Sequence, residues 1–338
     1  MAINEKAYSP KQFSFLVAEQ DDWGTINPDS SGSPDNAWLA VDVDSVGSPS
    51  LNLNQTLDVR NGSRVLQATD FFQDNKNKVI EVSVSGTATT EVLDLLLGNI
   101  TQGDTVPYLI TSAGAVQNMS SATSNQTANQ LLSICYKTPA SGHAIGLKDC
   151  FCTAISFNGD AGTEGGRVKF SATFKTGSAP ALTQSDLSID TAISSNNYYM
   201  SSWDADDRIV AGIANCLVSS FTLNVENDVT FAGLTATGFE SASRVSEVSA
   251  TADFSIKYDD NTDVLFENFH DQATGASEGA TLMATDATPS DGEFEFKFAG
   301  SVITDVAFNE GDMMMLDVSV KAVGSGVGSS TALFEIAC

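Results

Sequence analysis

Basic side chains are scarce in this sequence. It carries 16 Lys and Arg against 43 Asp and Glu, for a net charge of −27. Binding along a nucleic-acid backbone takes Lys and Arg that displace condensed counterions, so this chain is not built to wrap DNA or RNA. It can meet DNA only in the opposite sense, as a wall that repels it; dense acids also keep a protein soluble at high salt. Charged residues of both signs make up only 17% of the chain. The acid excess is therefore a shortage of cations, and Asp, Ser, Thr and Asn are left to cover the surface.

Long apolar runs are missing too. Nothing approaches the roughly 18–20 apolar residues of a membrane helix; the most apolar stretch, Val92-Leu93-Asp94-Leu95-Leu96-Leu97, contains an acid and ends at Gly98. The opening Met1-Ala2-Ile3-Asn4-Glu5-Lys6 has neither the basic nor the apolar region of an export signal, so folding in a cytoplasm is expected. Asn-x-Ser/Thr triplets such as Asn54-Gln55-Thr56 then carry no meaning for glycosylation.

Groups for catalysis or metal binding are thin. Only His143 and His270 are present, neither near a second His or a cysteine pair. Five cysteines cannot all pair internally, and free thiols acting as small apolar residues are expected. Cys150-Phe151-Cys152 puts two sulfurs on one strand face but lacks the C-x₂₋₄-C spacing of zinc sites. There is no G-x-S-x-G elbow and no glycine-rich phosphate loop. Asp259-Asp260-Asn261-Thr262-Asp263 resembles half a calcium loop without its glycine and its closing acid; Asp204-Ala205-Asp206-Asp207 is a second acidic loop. The expectation is a protein that is not an enzyme and uses no metal or cofactor.

What is present is alternation. Hydrophobic residues make up 42%, enough for a real core. Ile80, Val82 and Val84 alternate with Glu81, Ser83 and Ser85, and Val168, Phe170, Ala172 and Phe174 with Lys169, Ser171, Thr173 and Lys175. The longest row runs Val248, Ala250, Ala252, Phe254, Ile256, Tyr258; Phe294, Phe296, Phe298 and Leu316, Val318, Val320 follow. Period two with one wet face predicts antiparallel sheets. Two short helices interrupt them. One starts at Thr90-Glu91, with Thr90 as the expected cap and Gly98 as the stop; the other starts at Thr262-Asp263 and runs to about His270. Met313 to Met315 are expected to pack in the core as a strand begins.

The chain also repeats itself. Thr56-Leu57-Asp58-Val59-Arg60-Asn61 returns as Thr222-Leu223-Asn224-Val225-Glu226-Asn227. At the same offset, Lys78-Val79-Ile80-Glu81-Val82-Ser83 falls on Arg244-Val245-Ser246-Glu247-Val248-Ser249. The helix starts follow a small insertion later, and Phe157-Asn158-Gly159 resembles Phe308-Asn309-Glu310, each before a final strand. The expected fold is all-β with a few short helices: two tandem sandwich or half-barrel domains, each with one short α-helix. The boundaries are an N-terminal arm at 1–50, a first β-domain at 51–180, a linker at 181–216 and a second β-domain at 217–338. The polar tract from Gln117 to Gln130 reads as an exposed loop.

The arm segment Val17-Ala18-Glu19-Gln20-Asp21-Asp22-Trp23-Gly24-Thr25 resembles the E-x-x-[FW]-G-T opening of tail tube proteins of long-tailed bacteriophages. Trp38-Leu39-Ala40-Val41 and then Arg60-Asn61-Gly62-Ser63-Arg64 are similar to that family's apolar strand and R-x-G-x-R segment, and Thr90 to Leu97 falls where its helix lies. The second repeat departs, with Glu226-Asn227-Asp228-Val229-Thr230 in place of the arginine segment.

The resemblance implies a virion protein, assembled in the host cytoplasm, in which domains join side by side into rings and rings stack into a hollow tube. A duplicated member resembles a trimer imitating a hexamer. DNA and a tape-measure protein would pass through the lumen, and terminator and tip proteins would close the ends. The loops at 61–78 and 227–244 would reach adjacent subunits, through Arg60, Asn61, Arg64, Phe71, Phe72, Asn227, Phe231, Phe239 and Arg244. Trp23, Trp38 and Trp203 would anchor the arm and linker. The alternatives weighed against this are a capsid decoration or tail-tip adhesion protein, and a secreted hydrolase on a β-sandwich.

Overall fold

The structure is a computed structural model. It describes residues 12–20, 23–26, 38–47, 54–57, 71–74, 79–102, 108–111, 117–120, 131–137, 144–181, 189–190, 198–200, 208–235, 238–244, 247–271, 281–282, 294–298, 300–311, 313–324 and 332–337. Strands β1 (Ser14–Glu19), β2 (Trp38–Val41) and β3 (Val43–Val46) come first, followed by β4 (Asn54–Leu57), β5 (Phe71–Asp74) and β6 (Ile80–Thr87). Helix α1 (Thr90–Thr101) leads to β7 (Tyr108–Thr111), β8 (Gln117–Ser120), β9 (Leu132–Lys137), β10 (Ala144–Asp160) and β11 (Lys169–Thr176). Then come β12 (Ile189–Asp190), β13 (Arg208–Ile209), β14 (Val218–Glu226), β15 (Thr230–Thr235), β16 (Gly238–Arg244) and β17 (Ser249–Lys257). Helix α2 (Val264–Asp271) precedes β18 (Thr281–Leu282), β19 (Glu295–Phe298), β20 (Ser301–Glu310), β21 (Met314–Ala322) and β22 (Ala332–Ala337).

The architecture is all-β with two short helices. The alternating rows become strands with one buried face: Ile80, Val82 and Val84 are buried while Glu81 and Ser83 are exposed. One antiparallel run, β3-β6-β11-β10-β14-β17-β21-β20, forms the backbone of the molecule. The first part of β10 leaves this run and pairs with β9, which continues through β1 and β2 to β12. Two register shifts, at Leu147/Cys150 and Cys152/Ala154, mark where β10 changes partners. Bulges bend a strand in this way, so one strand serves both layers of a sandwich.

The layers meet through apolar side chains. Phe15 of β1 faces Phe174 of β11 at a ring separation of 6.4 Å. Helix α1 closes that sandwich with Val92, Leu93, Leu96, Leu97 and Ile100, all buried. A second layer, β13-β18-β19-β22-β7, covers the other half. There Phe296 packs against Phe221 and Phe254 at 6.0 and 6.2 Å.

Several expectations change. The stretch read as an arm supplies β1, β2 and β3 to the main sheet, because its apolar residues Phe15 to Ala18, Trp38, Leu39 and Val41 are buried. The halves also interleave: β7 of the first pairs with β22 of the second, and β8 pairs with β16. Part of the tract read as an exposed loop is therefore strand β8. The residue in the capping place of α1 is Thr89, without a side-chain cap bond; Thr90 Oγ1 instead bonds the Tyr198 hydroxyl at 2.7 Å. The helix passes through buried Gly98 and stops at Gln102, whose left-handed backbone (φ 59°) lets its N–H reach the Gly98 carbonyl.

Candidate functional site: the seam between two matching quartets

Strands β3, β6, β11 and β10 form one quartet, and β14, β17, β21 and β20 repeat it in the same order. The registers match residue for residue. Val84 lies between Val46 and Ala172; Phe254 lies between Phe221 and Val318. The irregularities match as well. The bulge at Val43/Ser45 recurs at Val218/Ser220, and the one at Cys152/Ala154 recurs at Ile303/Asp305. Each quartet carries a helix after its second strand.

Phe157 and Asn158 correspond to Phe308 and Asn309, as the sequence suggested, although these residues lie within β10 and β20 and not in turns. The quoted hexapeptides do not correspond. Thr222 to Glu226 lie in β14, whose counterpart is β3, while Thr56 and Leu57 lie in β4, which pairs only with β5 among the described residues.

The quartets join where β10 pairs with β14 over seven residues, from Ala154 opposite Glu226 to Asp160 opposite Ser220. Ile155, Phe157, Leu223 and Val225 bury on the core side. The other face is polar, with Ser156, Asn158, Thr222 and Asn224 along the seam. Among the described residues, β3 and β20 each have one ladder partner. Among the described strands, the sheet therefore ends at β3 and β20.

A clasp holds the seam at one end. Arg244, at the end of β16, is 4% exposed. Its Nη1 donates to the Asn227 carbonyl. Its Nη2 donates to the Cys152 carbonyl at 2.9 Å and to Asn99 O and Oδ1 at 3.1 and 3.2 Å. The guanidinium also lies 5.6 Å from the Phe151 ring centre, a cation–π distance. Burial lowers its pKa to about 10 against the pull of Cys152 and Asp228, so it stays cationic at neutral pH. Asn227 completes the clasp, donating from its side chain to Ile100 O at 2.8 Å and from its N–H to Thr153 O at 2.9 Å.

The β15–β16 hairpin thus folds onto the first quartet of its own chain. Phe231 packs on Phe151 and on Phe239, with rings 5.8 Å apart in each case. Gly177 makes this approach possible, because a Cβ there would lie 2.6 Å from Phe239 and 2.8 Å from Phe231. Asn227 and Arg244, expected to reach a neighbouring subunit, are bonded inside the chain, and Phe231 and Phe239 pack there too. Arg60, Asn61, Arg64 and Trp203 lie outside the described residues. Phe71 and Phe72 lie in β5, opposite Leu57 and Thr56.

The N-terminal segment has its own anchor. Asp149 is fully buried with a left-handed backbone (φ 53°). Its carboxylate accepts from Gln20 Nε2 at 2.6 Å, from the Gly24 N–H at 2.7 Å and from Ser178 Oγ. Trp23 sits above it on Phe151, rings 6.2 Å apart, and Trp38 is fully buried beside Leu16 and Cys135. Asp149→Ala is expected to cost about 2–4 kcal/mol, because it strands three donors and leaves a Cβ residue in a strained backbone region. Thermal melting checks this against Asp149→Asn, which tolerates that backbone better; equal midpoints for all three proteins would discount the anchor.

Sequence reasoning missed Asp149, and it singled out Arg244, though for a contact with a neighbouring subunit. The signal for Arg244 was its place two residues after Ala242, on the buried face of β16. Met313 and Met314 are 61% and 46% exposed, contrary to the expected core packing. His270 is exposed, and His143 lies outside the described residues. Burial pushes the Cys135 and Cys152 thiols up to about 12, Cys216 to about 11, and Cys150 well above its ordinary value. These four are buried free thiols, protonated at neutral pH. Among the described residues, no cluster of His, Cys, Asp or Glu is placed to hold a metal ion, and no helix is long and apolar enough to cross a membrane.

No protein-family model matches the chain, and no curated protein matches it either.

Proposed function

We propose that this chain is a tail tube subunit of a long-tailed bacteriophage. Three copies form a ring of six similar wedges, and rings stack into the conduit that carries DNA out of the virion. The observation that carries this reading is the doubled quartet. One chain lays two equal four-stranded units side by side in one sheet, in the same order and with the same bulges. A unit repeated by one fixed operation generates a ring if the rotation closes. Two wedges per chain and three chains make six.

The polar face supports a lumen role. Across the eight strands it carries Ser, Thr and Asn, with Asp44, Glu81, Asp160, Glu226, Asp253, Asp305 and Asp317 as acids and Lys169, Lys175, Lys257 and Lys321 as bases. Every one of these lysines has a carboxylate within 4 Å, respectively Asp44, Asp228, Asp259 and Glu247. The unmatched charge on this face is therefore negative. DNA phosphates near such a wall are repelled over about 8 Å at physiological salt, which lets DNA slide without sticking. The partners in this reading are further copies of the chain, a tape-measure protein and the tail terminator and tip proteins, with assembly in the host cytoplasm.

Negative-stain electron microscopy of the concentrated protein tests the proposal. The expected result is hollow tubes or stacked rings with a six-fold outline and three-fold mass. Closed trimers or fibres that never stack would move the assignment to a capsid decoration or tail-tip adhesion protein.

A further inference from the structure

The two quartets differ in what covers one of their ends. In the first, Arg167 and Val168 lead into β11, and the short segment 198–200 lies antiparallel to them. The Val168 N–H donates to the Tyr198 carbonyl and the Met200 N–H to the Gly166 carbonyl, both at 2.8 Å, and Arg167 pairs with Tyr199. The Tyr198 ring lies 5.8 Å from Phe294, which in turn lies 5.1 Å from Phe157. Val168 and Phe157 are both fully buried.

The second quartet repeats the scaffold without the cover. The registers set Met313, Met314 and Phe308 at the places of Arg167, Val168 and Phe157. One backbone bond recurs at the same place: Ala88 N–H to Val168 O, and Tyr258 N–H to Met314 O, both at 3.2 Å. Among the described residues, however, no segment lies along Met313 and Met314 as 198–200 lies along Arg167 and Val168. Met313 is 61% exposed, and Met314 and Phe308 are each 46% exposed. Phe308 is held by Phe266 at 4.7 Å and Tyr258 at 5.3 Å, and Phe269, one turn further along α2, is exposed as well.

The first quartet shows what such a place accepts: an extended segment, bonded through its backbone, with an aromatic residue beside the Val168 position. Strand addition of this kind draws affinity from main-chain bonds and specificity from alternate side chains. One position must differ. Met200 lies on Gly159, where a Cβ would come 3.0 Å from its Sδ, and the counterpart of Gly159 is Glu310. Asp260 and Asp263 are exposed in the turn after Tyr258, with Asp263 on the Tyr258 hydroxyl at 2.7 Å. Lys or Arg suits the place of Met200 there. A second copy of this chain has no spare 198–200 to lend, since Tyr198 and Met200 are 2% and 5% exposed within their own chain.

We infer that the entry to β21 is a docking site for an extended segment of a different protein. The segment lies antiparallel to Met313 and Met314, sets an aromatic side chain over Phe308 and Met314, and carries Lys or Arg two residues later. Exposed methionines suit the role, because an unbranched thioether chain adapts to an incoming ring. The inference rests on the two quartets and not on the tube reading.

A synthetic peptide with the sequence of 196–202 and the change Met200→Lys has these features. Its fluorescein-labelled form is titrated with the full chain and followed by fluorescence anisotropy. Saturable binding is expected, and Met314→Lys or Met313→Lys in the protein should weaken it about tenfold; both residues are exposed, so melting should stay as in the parent. A peptide with Tyr198→Ala should bind roughly tenfold more weakly. One with Met200→Glu should bind about threefold more weakly, a gap that closes as salt is raised. Binding that both protein variants leave unchanged would overturn the site, because the peptide would then sit elsewhere, as by displacing 198–200 from the first quartet. No binding at about 1 mM peptide, or self-association of the chain that Met314→Lys abolishes, would overturn it too. Tubes by electron microscopy beside a failed titration would leave the tube reading standing.

Discussion

Arg244→Met is expected to destabilise the protein by roughly 3–5 kcal/mol, read as a drop in the urea midpoint. The methionine fills most of the volume but donates nothing. The carbonyls of Asn227, Asn99 and Cys152 then stay buried with a partner removed. Each buried polar group left unsatisfied costs about 1–3 kcal/mol, and the contact with Phe151 is lost as well. Arg244→Lys should recover only part of this, since one ammonium cannot reproduce a planar fork that reaches three carbonyls. If both variants melt like the parent, the clasp is not what fixes the hairpin to the first quartet.

Val82→Asp should do more damage, enough to abolish folding at ordinary temperature. Val82 is 2% exposed and sits opposite Phe174 inside the first sandwich. A carboxylate there, among the buried apolar side chains of the core, is either buried charged or forced to protonate. The expected loss is at least about 4 kcal/mol, in the range reserved for a few drastic mechanisms. Ser83→Asp, one residue along on the polar face, should change stability by no more than about 0.5 kcal/mol. Equal circular-dichroism melts for the two variants would mean that the faces of β6 are misassigned.

That contrast between adjacent residues was legible before the structure, because period two is a property of the strand itself. So were β11, β17, β19 and β21, the order of helix and strands, and the match of Phe157 with Phe308. The match of Thr56 to Asn61 with Thr222 to Asn227 failed for a physical reason. Edge and core strands draw on the same small set of Thr, Val and Leu, so short matches arise without shared position. The true counterpart of β14 is β3, which aligns with it over only four residues, Val43 to Val46 on Val218 to Phe221; bulges and register carry the equivalence, and neither is visible in one sequence. The segment with β1 to β3 was misjudged from its Asp, Ser, Pro and Gly, which outweighed two apolar runs of four residues. Asp149 was invisible, and Arg244 was read as an outward contact, because a charged side chain reads as surface until its partners, distant in sequence, are brought to it.

The two quartets agree in their ladders and differ in their loops. Between β10 and β11 the chain takes the long detour 161–168; between β20 and β21 only three residues intervene, 311–313. Registers being equal, both connections leave the sheet at the same end. In an array that continues the sheet, that rim alternates long and short teeth. The smallest step that brings the rim back onto itself is then a whole chain. In the tube proposed above, a protein seated on the rim would be offered half as many equivalent footholds as there are wedges, and would count threes on a bore of six.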